Sequence, residues 1–316
     1  MRKIAFGSCI SQNHPQYIWY KVAEQAPDIF IFCGDNIYGD TYDMQLLRQK
    51  YDMLGNKPGY RTLKKNTRII ATWDDHDYGK NDAGKEYRMK AESKKEFLRF
   101  FEEPDTSSRW SHEGIYHSYF FGETGKLLQI IVLDTRTFRD KLLRVRADTD
   151  CKGPYAKTPG KHKTFLGEEQ WAWLEKELSK PADLRIIVSS TQFLVEFNGW
   201  EAWINMPHER ERMMQLIEKT RANGVIFISG DVHYAELSRL KRQSCYPLYD
   251  LTSSGMTHGH PCDGGNIHRL HNYIYMKPNY GLITIDWEQR NVRLEIKDEQ
   301  NNSPFHHTVP FSEISF

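Results

Sequence analysis

No stretch of this chain approaches the apolar length needed to cross a membrane, so a helical membrane span is not expected. Charge of one sign is missing too. The 43 Lys and Arg face 42 Asp and Glu, a formal net of +1, and nothing favours general electrostatic capture of nucleic acid. No stable nucleic-acid partner is expected. Low-complexity segments and short-period repeats are absent. Cysteine is sparse. A chain of 316 residues can bury a sizeable core without a disulfide framework, and its five cysteines are an odd count. Cys9 and Cys33 sit in or after apolar runs. Cys151, Cys245 and Cys262 lie in polar, loop-like stretches, where one pair could be bridged. Composition leaves the redox compartment open. No signal peptide precedes Met1-Arg2-Lys3-Ile4-Ala5-Phe6, which reads as the start of a strand. The protein is then cytoplasmic, or a leader has been trimmed.

What is present is a series of short apolar, β-branched or aromatic runs. Residues 3–6, 29–33, 68–72, 115–121, 127–133, 185–189, 225–229, 248–252, 282–286 and 292–296 read as strands. Residues 16–25, 43–53, 89–101, 168–178 and 208–223 have helical spacing of apolar positions. Strands alternating with helices predict an α/β fold. The last hundred or so residues are richer in strands, which suggests a second or mixed sheet. No domain boundary stands out, so residues 1–316 are expected to form a single domain. Residues 140–162 are polar, with Gly153-Pro154 and Thr158-Pro159-Gly160, and read as a long surface loop.

The run 68–72 ends abruptly in Trp73-Asp74-Asp75-His76-Asp77, with Asn81 and Asp82 close behind. Crowded carboxylates at the end of a buried strand repel and are costly to desolvate unless something compensates. Other strands end in the same manner. Residues 3–6 lead to Gly7-Ser8-Cys9, and 29–33 to Gly34-Asp35-Asn36-Ile37-Tyr38. Residues 127–133 lead to Asp134-Thr135-Arg136, and 225–229 to Gly230-Asp231-Val232-His233. In an open α/β sheet, the carboxyl ends of neighbouring strands converge on one crevice. Bound cations would hold such converging carboxylates together. Imidazole, thiolate and phenolate suit iron or zinc, and carboxylate and amide oxygens suit calcium, magnesium or manganese. A two-metal site can activate water and brace displacement at phosphorus, and an arginine fork such as Arg136 suits phosphate oxygens.

Each residue has a bland explanation when taken singly. Gly-Asp after a strand is a common turn, a lone Cys is usually a small buried hydrophobe, and His76 could be a satisfied turn residue. The ordered set of five strand ends is what argues for a metal-assisted hydrolase.

Together these motifs resemble the alkaline phosphatase D (PhoD-like) family, within the calcineurin-like metallophosphoesterases, over about residues 3–257. The resemblance implies an α/β/β/α sandwich of two mixed sheets with metals at the strand ends. It implies Cys9, Asp35 and Tyr38 as ligands of a ferric-type ion, completed by His233 or Asp231. Asp35 would bridge to a harder ion that also draws on Asp75 and on Asn81 or Asp82. Fe3+ and Ca2+ are the expected pair, with Zn2+, Mn2+ or Mg2+ possible. His76 becomes a phosphate contact or general acid, and Arg136 points to substrate. Asp74 and Asp77 become supporting residues, Asp134 orients its turn, and Glu236 holds a ligand His. A separate N-terminal domain found in larger relatives has no counterpart before the Cys9 strand.

The activity so implied is hydrolysis of small phosphate esters by in-line attack of a metal-held hydroxide. Alternatives on the same scaffold are a nuclease or phospholipase, and, from another class, a phosphate-binding module without turnover. The family implies a periplasmic or secreted location if a leader was trimmed. His258 and His260 follow strand 248–252 and could reach the pocket rim, although surface histidines are the simpler reading. Tyr155, Lys152, Lys157, Lys161 and Lys163 could meet an anionic substrate, although a solvated basic loop is simpler.

Overall fold

A computed structural model describes residues 2–147, 151–196 and 199–316. Two six-stranded sheets face each other. The first runs in the order Phe305–Pro310, Asn291–Asp298, Asn279–Asp286, Arg2–Gly7, Ile29–Cys33, Arg68–Thr72. Its last three strands are parallel and the others antiparallel. The second runs Ala235–Leu240, Leu248–Ser253, Val225–Ser229, Leu184–Val188, Leu128–Val132, His117–Phe121. Its four inner strands are parallel and both edges antiparallel.

The parallel strands are buried on both faces, which is why they read as unbroken apolar runs. Their side chains still alternate. Ile4, Phe6, Ile29 and Ile31 join the core cluster that also holds the second sheet, while Ala5, Phe30 and Phe32 face helices. Helices Ile18–Glu24, Met44–Gly55, Pro58–Lys64 and Lys90–Phe100 cover the first sheet, and Gly167–Leu178 and Pro207–Thr220 pack on the second. The layers are therefore α/β/β/α, as the resemblance implied. Phe32 shows how tightly the first helical layer is built. Its ring lies 4.9 Å from Phe30, 5.3 Å from Phe101 and 5.6 Å from Trp19, centroid to centroid. Truncating it to Ala would remove about 3–5 kcal/mol.

Among the elements absent from the sequence reading, three have a plain physical reason. Helix Pro58–Lys64 has Pro at its start and Gly59 in its first turn, and the Gly weakens its signal. That glycine is needed, because a Cβ there would sit 2.8 Å from the Trp19 Cβ. Strand Ala235–Leu240 carries Glu236 and Arg239 and lacks a clean alternation. Strand Phe305–Pro310 is an edge strand with exposed His306 and Thr308, and pairing rather than propensity holds it.

The region 140–162 is more built than a surface loop, leaving aside residues 148–150, which lie outside the described set. Leu143–Arg144 pairs with Tyr155–Ala156 in a small antiparallel ribbon. Tyr155 is buried and its hydroxyl donates to Asp82 Oδ2. Cys151 is bonded to Cys262, so the bridged pair is one of those left open by the sequence, and Cys245 is free.

Candidate active site

The carboxyl ends of the parallel strands point to one side of the sandwich, and the motif residues leave the strands there. Gly34 shows why the first turn needs glycine. Its φ is +96°, and a Cβ would lie 2.5 Å from the Asp74 Cβ. The residues after the turns carry unusual backbone as well. Cys9, Asp35, Asp231 and His233 have φ of 56°, 50°, 73° and 58°, a region disfavoured for side chains with a Cβ. Strain of this kind collects where side chains must be aimed.

The aim is shared. Ligand-type atoms of Cys9, Asp35 and His233 all lie within 4.8 Å of one another. The same holds for Asp35, Asp75 and His76, and for Asp35, Asp74, Asp75 and Asp231. Asp35 belongs to all three groups and so sits between the two ends of the cluster. Cys9 Sγ is 3.4 Å from Asp35 Oδ2 and 3.1 Å from Ser254 Oγ. Tyr38 Oη is 3.0 Å from His233 Nε2. Asp75, His76, Asn81, Asp231 and His233 line a cavity of about 290 Å³ with Asp35.

Electrostatics says what the cluster lacks. Burial pushes Asp35 and Asp231 well above the usual carboxylate range, and neighbouring negative groups add to it. For Asp75, burial raises the pKa, but Arg136 and His76 overcome it and hold it at about 2. For His76, burial opposes the charge, yet Asp35, Asp75 and Asp40 prevail and raise it to about 10. Burial, with His76 adding, lowers His233 to about 4 and keeps its imidazole neutral, the form that ligates metals. Asp75 Oδ1 and Asp74 Oδ2 are buried without a hydrogen-bond partner. Orphaned carboxylate oxygens, a thiol, a phenol and a neutral imidazole facing one space fit bound cations.

A PhoD-like phosphatase family model matches residues 4–260. The chain belongs to the PhoD-like phosphatase family. It is 25% identical to alkaline phosphatase D of Bacillus subtilis strain 168, over 75% of this chain and 46% of that one, so it spans about half of that relative's length. The solved structure of PhoD superposes with a TM-score of 0.75 at 20% identity, covering 98% of this chain and 68% of that one. Purple acid phosphatase PPD1 from yellow lupin seeds gives 0.61 at 14% identity, covering 98% and 53%. A dimetal phosphatase from Danio rerio gives 0.58 at 12% identity, covering 98% and 99%. These structural likenesses establish the fold.

Within this PhoD-like frame two expected roles need correction. Arg136 is fully buried rather than facing substrate. Its guanidinium pairs with Asp74 at 2.5 Å and with Glu201 at 2.6 Å, and lies 3.7 Å from Asp75 Oδ1. It neutralises the acidic cluster from behind, because three carboxylates outcompete an open cavity for it. Glu236 does not hold His233. It is buried against Arg269 at 2.8 Å and Gln192 at 2.6 Å. Among the loop lysines, Lys157 pairs with Glu196 and Lys163 donates to the Lys141 carbonyl. Asp134 accepts from Arg136 N and Thr137 N at 2.9 Å each and orients its turn. Asp77 accepts from Asp74 N at 2.7 Å and Asp35 N at 3.2 Å, which supports both motif turns.

Several neighbours of the site were either not readable in advance or named only as alternatives. Asp40 bonds His76 Nδ1 at 2.8 Å. Asp82 lies with Asp75 and Glu201 in a further acidic group, and Asn81, which lines the cavity, donates its backbone N–H to Asp40 at 3.1 Å. Ser254 binds the His233 backbone N–H at 2.8 Å. His258 Nε2 is 3.4 Å from Tyr38 Oη, and His260 lines the cavity with Trp200, so neither histidine is a bystander on the surface. The strand 248–252 preceding Ser254 was the available signal for that loop. Glu201 and Trp200 had none, since no motif surrounds them.

Proposed function

We propose that this chain hydrolyses small phosphate esters in the cavity at the strand ends, with two cations held by the converging side chains. The observation that carries the reading is the shared position of Asp35, within ligand distance of the Cys9–His233 group and of the Asp75–Asp231 group. The donor chemistry supports a finer assignment. Cys9, Tyr38 and His233 suit iron in the ferric state, and Asp35, Asp75 and Asp231 suit calcium, with zinc, manganese or magnesium as substitutes. Bound there, cations would supply Lewis-acid chemistry, neutralising phosphoryl oxygens and lowering the pKa of water.

The protein's own residues do the remainder. Asp40, 2.8 Å from His76 Nδ1, favours the imidazolium and occupies that nitrogen. The His76 Nε2 is then the nitrogen that presents a proton to the leaving-group oxygen or to a phosphoryl oxygen. Arg136 fixes Asp74 and limits the mutual repulsion of Asp74 and Asp75 without touching substrate. Asp77 and Asn36, 2.5 Å apart, hold the two motif turns together. The cavity volume suits a small ester rather than a polymer lying in a groove.

The Cys151–Cys262 bridge supports a periplasmic or secreted location, where such bonds persist. Among the described residues no helix is long and apolar enough to cross a membrane.

The test is hydrolysis of 4-nitrophenyl phosphate before and after dialysis against a chelator. Turnover should vanish on metal removal and return when iron and calcium are restored. Undiminished turnover by metal-free protein, or none by fully loaded protein, overturns the reading.

A further inference from the structure

Besides Asn81, three residues that line the cavity belong to none of the ligand-type groups. They are Trp200, Val232 and His260, and Trp200 and His260 meet edge to face with ring centroids 6.2 Å apart and planes at 86°. His260 Nε2 is buried without a hydrogen-bond partner.

This lining is built rather than draped. Gly199, beside Trp200, lies against Gly153, two residues after Cys151. A Cβ on Gly153 would sit 2.3 Å from the Gly199 carbonyl oxygen, so only glycine permits that approach. The Tyr155 N–H donates to the same carbonyl at 3.0 Å. Glu201, on the other side of Trp200, is anchored by Arg136 at 2.6 Å and Arg139 at 2.8 Å. His260 is fixed from the opposite direction. Its backbone N–H donates to the His233 carbonyl at 2.9 Å, and Cys262 two residues on is bonded to Cys151. A Cβ on Gly259 would lie 1.7 Å from the Met276 carbonyl oxygen, another close approach that glycine alone allows. Ion pairs, a disulfide and backbone contacts therefore hold an indole and an imidazole beside the acidic cluster.

We propose that Trp200 and His260 form the subsite for the organic half of the ester, and that it takes a planar aromatic alcohol. The inference rests on the phosphoesterase reading and deepens it. An indole lining the cavity beside a charged cluster favours a flat π-system over an aliphatic chain of equal size. A buried imidazole nitrogen without a partner leaves a polar group that a substituent on that ring can satisfy. Phosphate held by the ligand cluster and an aromatic ring held by Trp200 divide the cavity between them.

The experiment compares phenyl phosphate with a small alkyl monoester, read as the ratio of their kcat/KM values, in wild type, Trp200→Ala and Trp200→Phe. Trp200→Ala should lower the aryl-to-alkyl ratio roughly tenfold, chiefly through KM, and Trp200→Phe should restore most of it. A ratio that does not move, or equal losses on both esters, overturns the subsite. Titration calorimetry with phenylphosphonate and methylphosphonate runs alongside. Wild type should prefer the phenyl compound, and Trp200→Ala should lose that preference; a preference that survives in the variant also overturns the subsite. If wild type turns over neither ester, the hydrolase reading fails, and the phosphonate titration alone then decides the subsite by the same two results.

Discussion

Asp35 and Asp134 both follow buried strands, both are almost fully shielded from solvent, and they live in opposite circumstances. Asp134 accepts from Trp73 Nε1 at 3.0 Å, from the N–H groups of Ile115, Arg136 and Thr137 at 2.9 Å, and from Thr137 Oγ1 at 2.6 Å. Its charge is met by the protein. Asp35 finds the His76 N–H at 3.4 Å and the Cys9 Sγ at 3.4 Å, with other carboxylates beside it, and its pKa rises well above the usual range through burial. Its charge is left for something else to meet. The same residue at the same kind of position is structural in one strand end and a ligand candidate in the other. The hydrogen-bond inventory tells them apart.

Substitution should separate the two. Asp35→Asn is expected to lower turnover of a phosphate ester by about 10³-fold or more, beyond the 10–100-fold typical of an outer partner. Compared as metal-free proteins, its thermal midpoint should not fall below wild type, because burial of a repelled charge is relieved. A large loss of stability with little loss of turnover would erase the contrast. Arg136→Met should act on the scaffold that both strand ends share. It strands Asp74 without its cation and leaves Glu201 only Arg139, a loss of about 3–5 kcal/mol in urea unfolding. A midpoint equal to wild type would contradict the buried pairing. Asp134→Asn should destabilise by about 1–3 kcal/mol, since the amide cannot accept from all its donors. Activity per folded molecule should stay within a few fold, and a thousandfold loss would place Asp134 in the chemistry.

Much of this was legible before any coordinates. The parallel strands announced themselves because burial on both faces leaves unbroken apolar runs such as Ile29–Cys33 and Val225–Ser229. Parallel topology then gathers their carboxyl ends, so the meeting of Cys9, Asp35, Asp75 and His233 followed from strand order. What escaped was whatever depends on partners far along the chain. Arg136 sits in a motif, but its direction is set by Asp74 and Glu201, and Glu201 carries no sequence mark. Glu236 lies three residues from His233, yet strand geometry turns it to Arg269. Trp200 reaches the cavity because of a glycine contact and a disulfide that link residues 153, 199, 151 and 262. Spacing along the chain encodes none of these.

The central claim is that unmet charge at the strand ends is met by metal ions. Elemental analysis of purified wild type, Asp35→Asn and Asp134→Asn, per mole of folded chain, addresses it directly. Expected are up to two ions in wild type and in Asp134→Asn, and a deficit of one or both in Asp35→Asn. Equal metal content in all three proteins, or no metal in a wild type that hydrolyses phosphate esters, would contradict it.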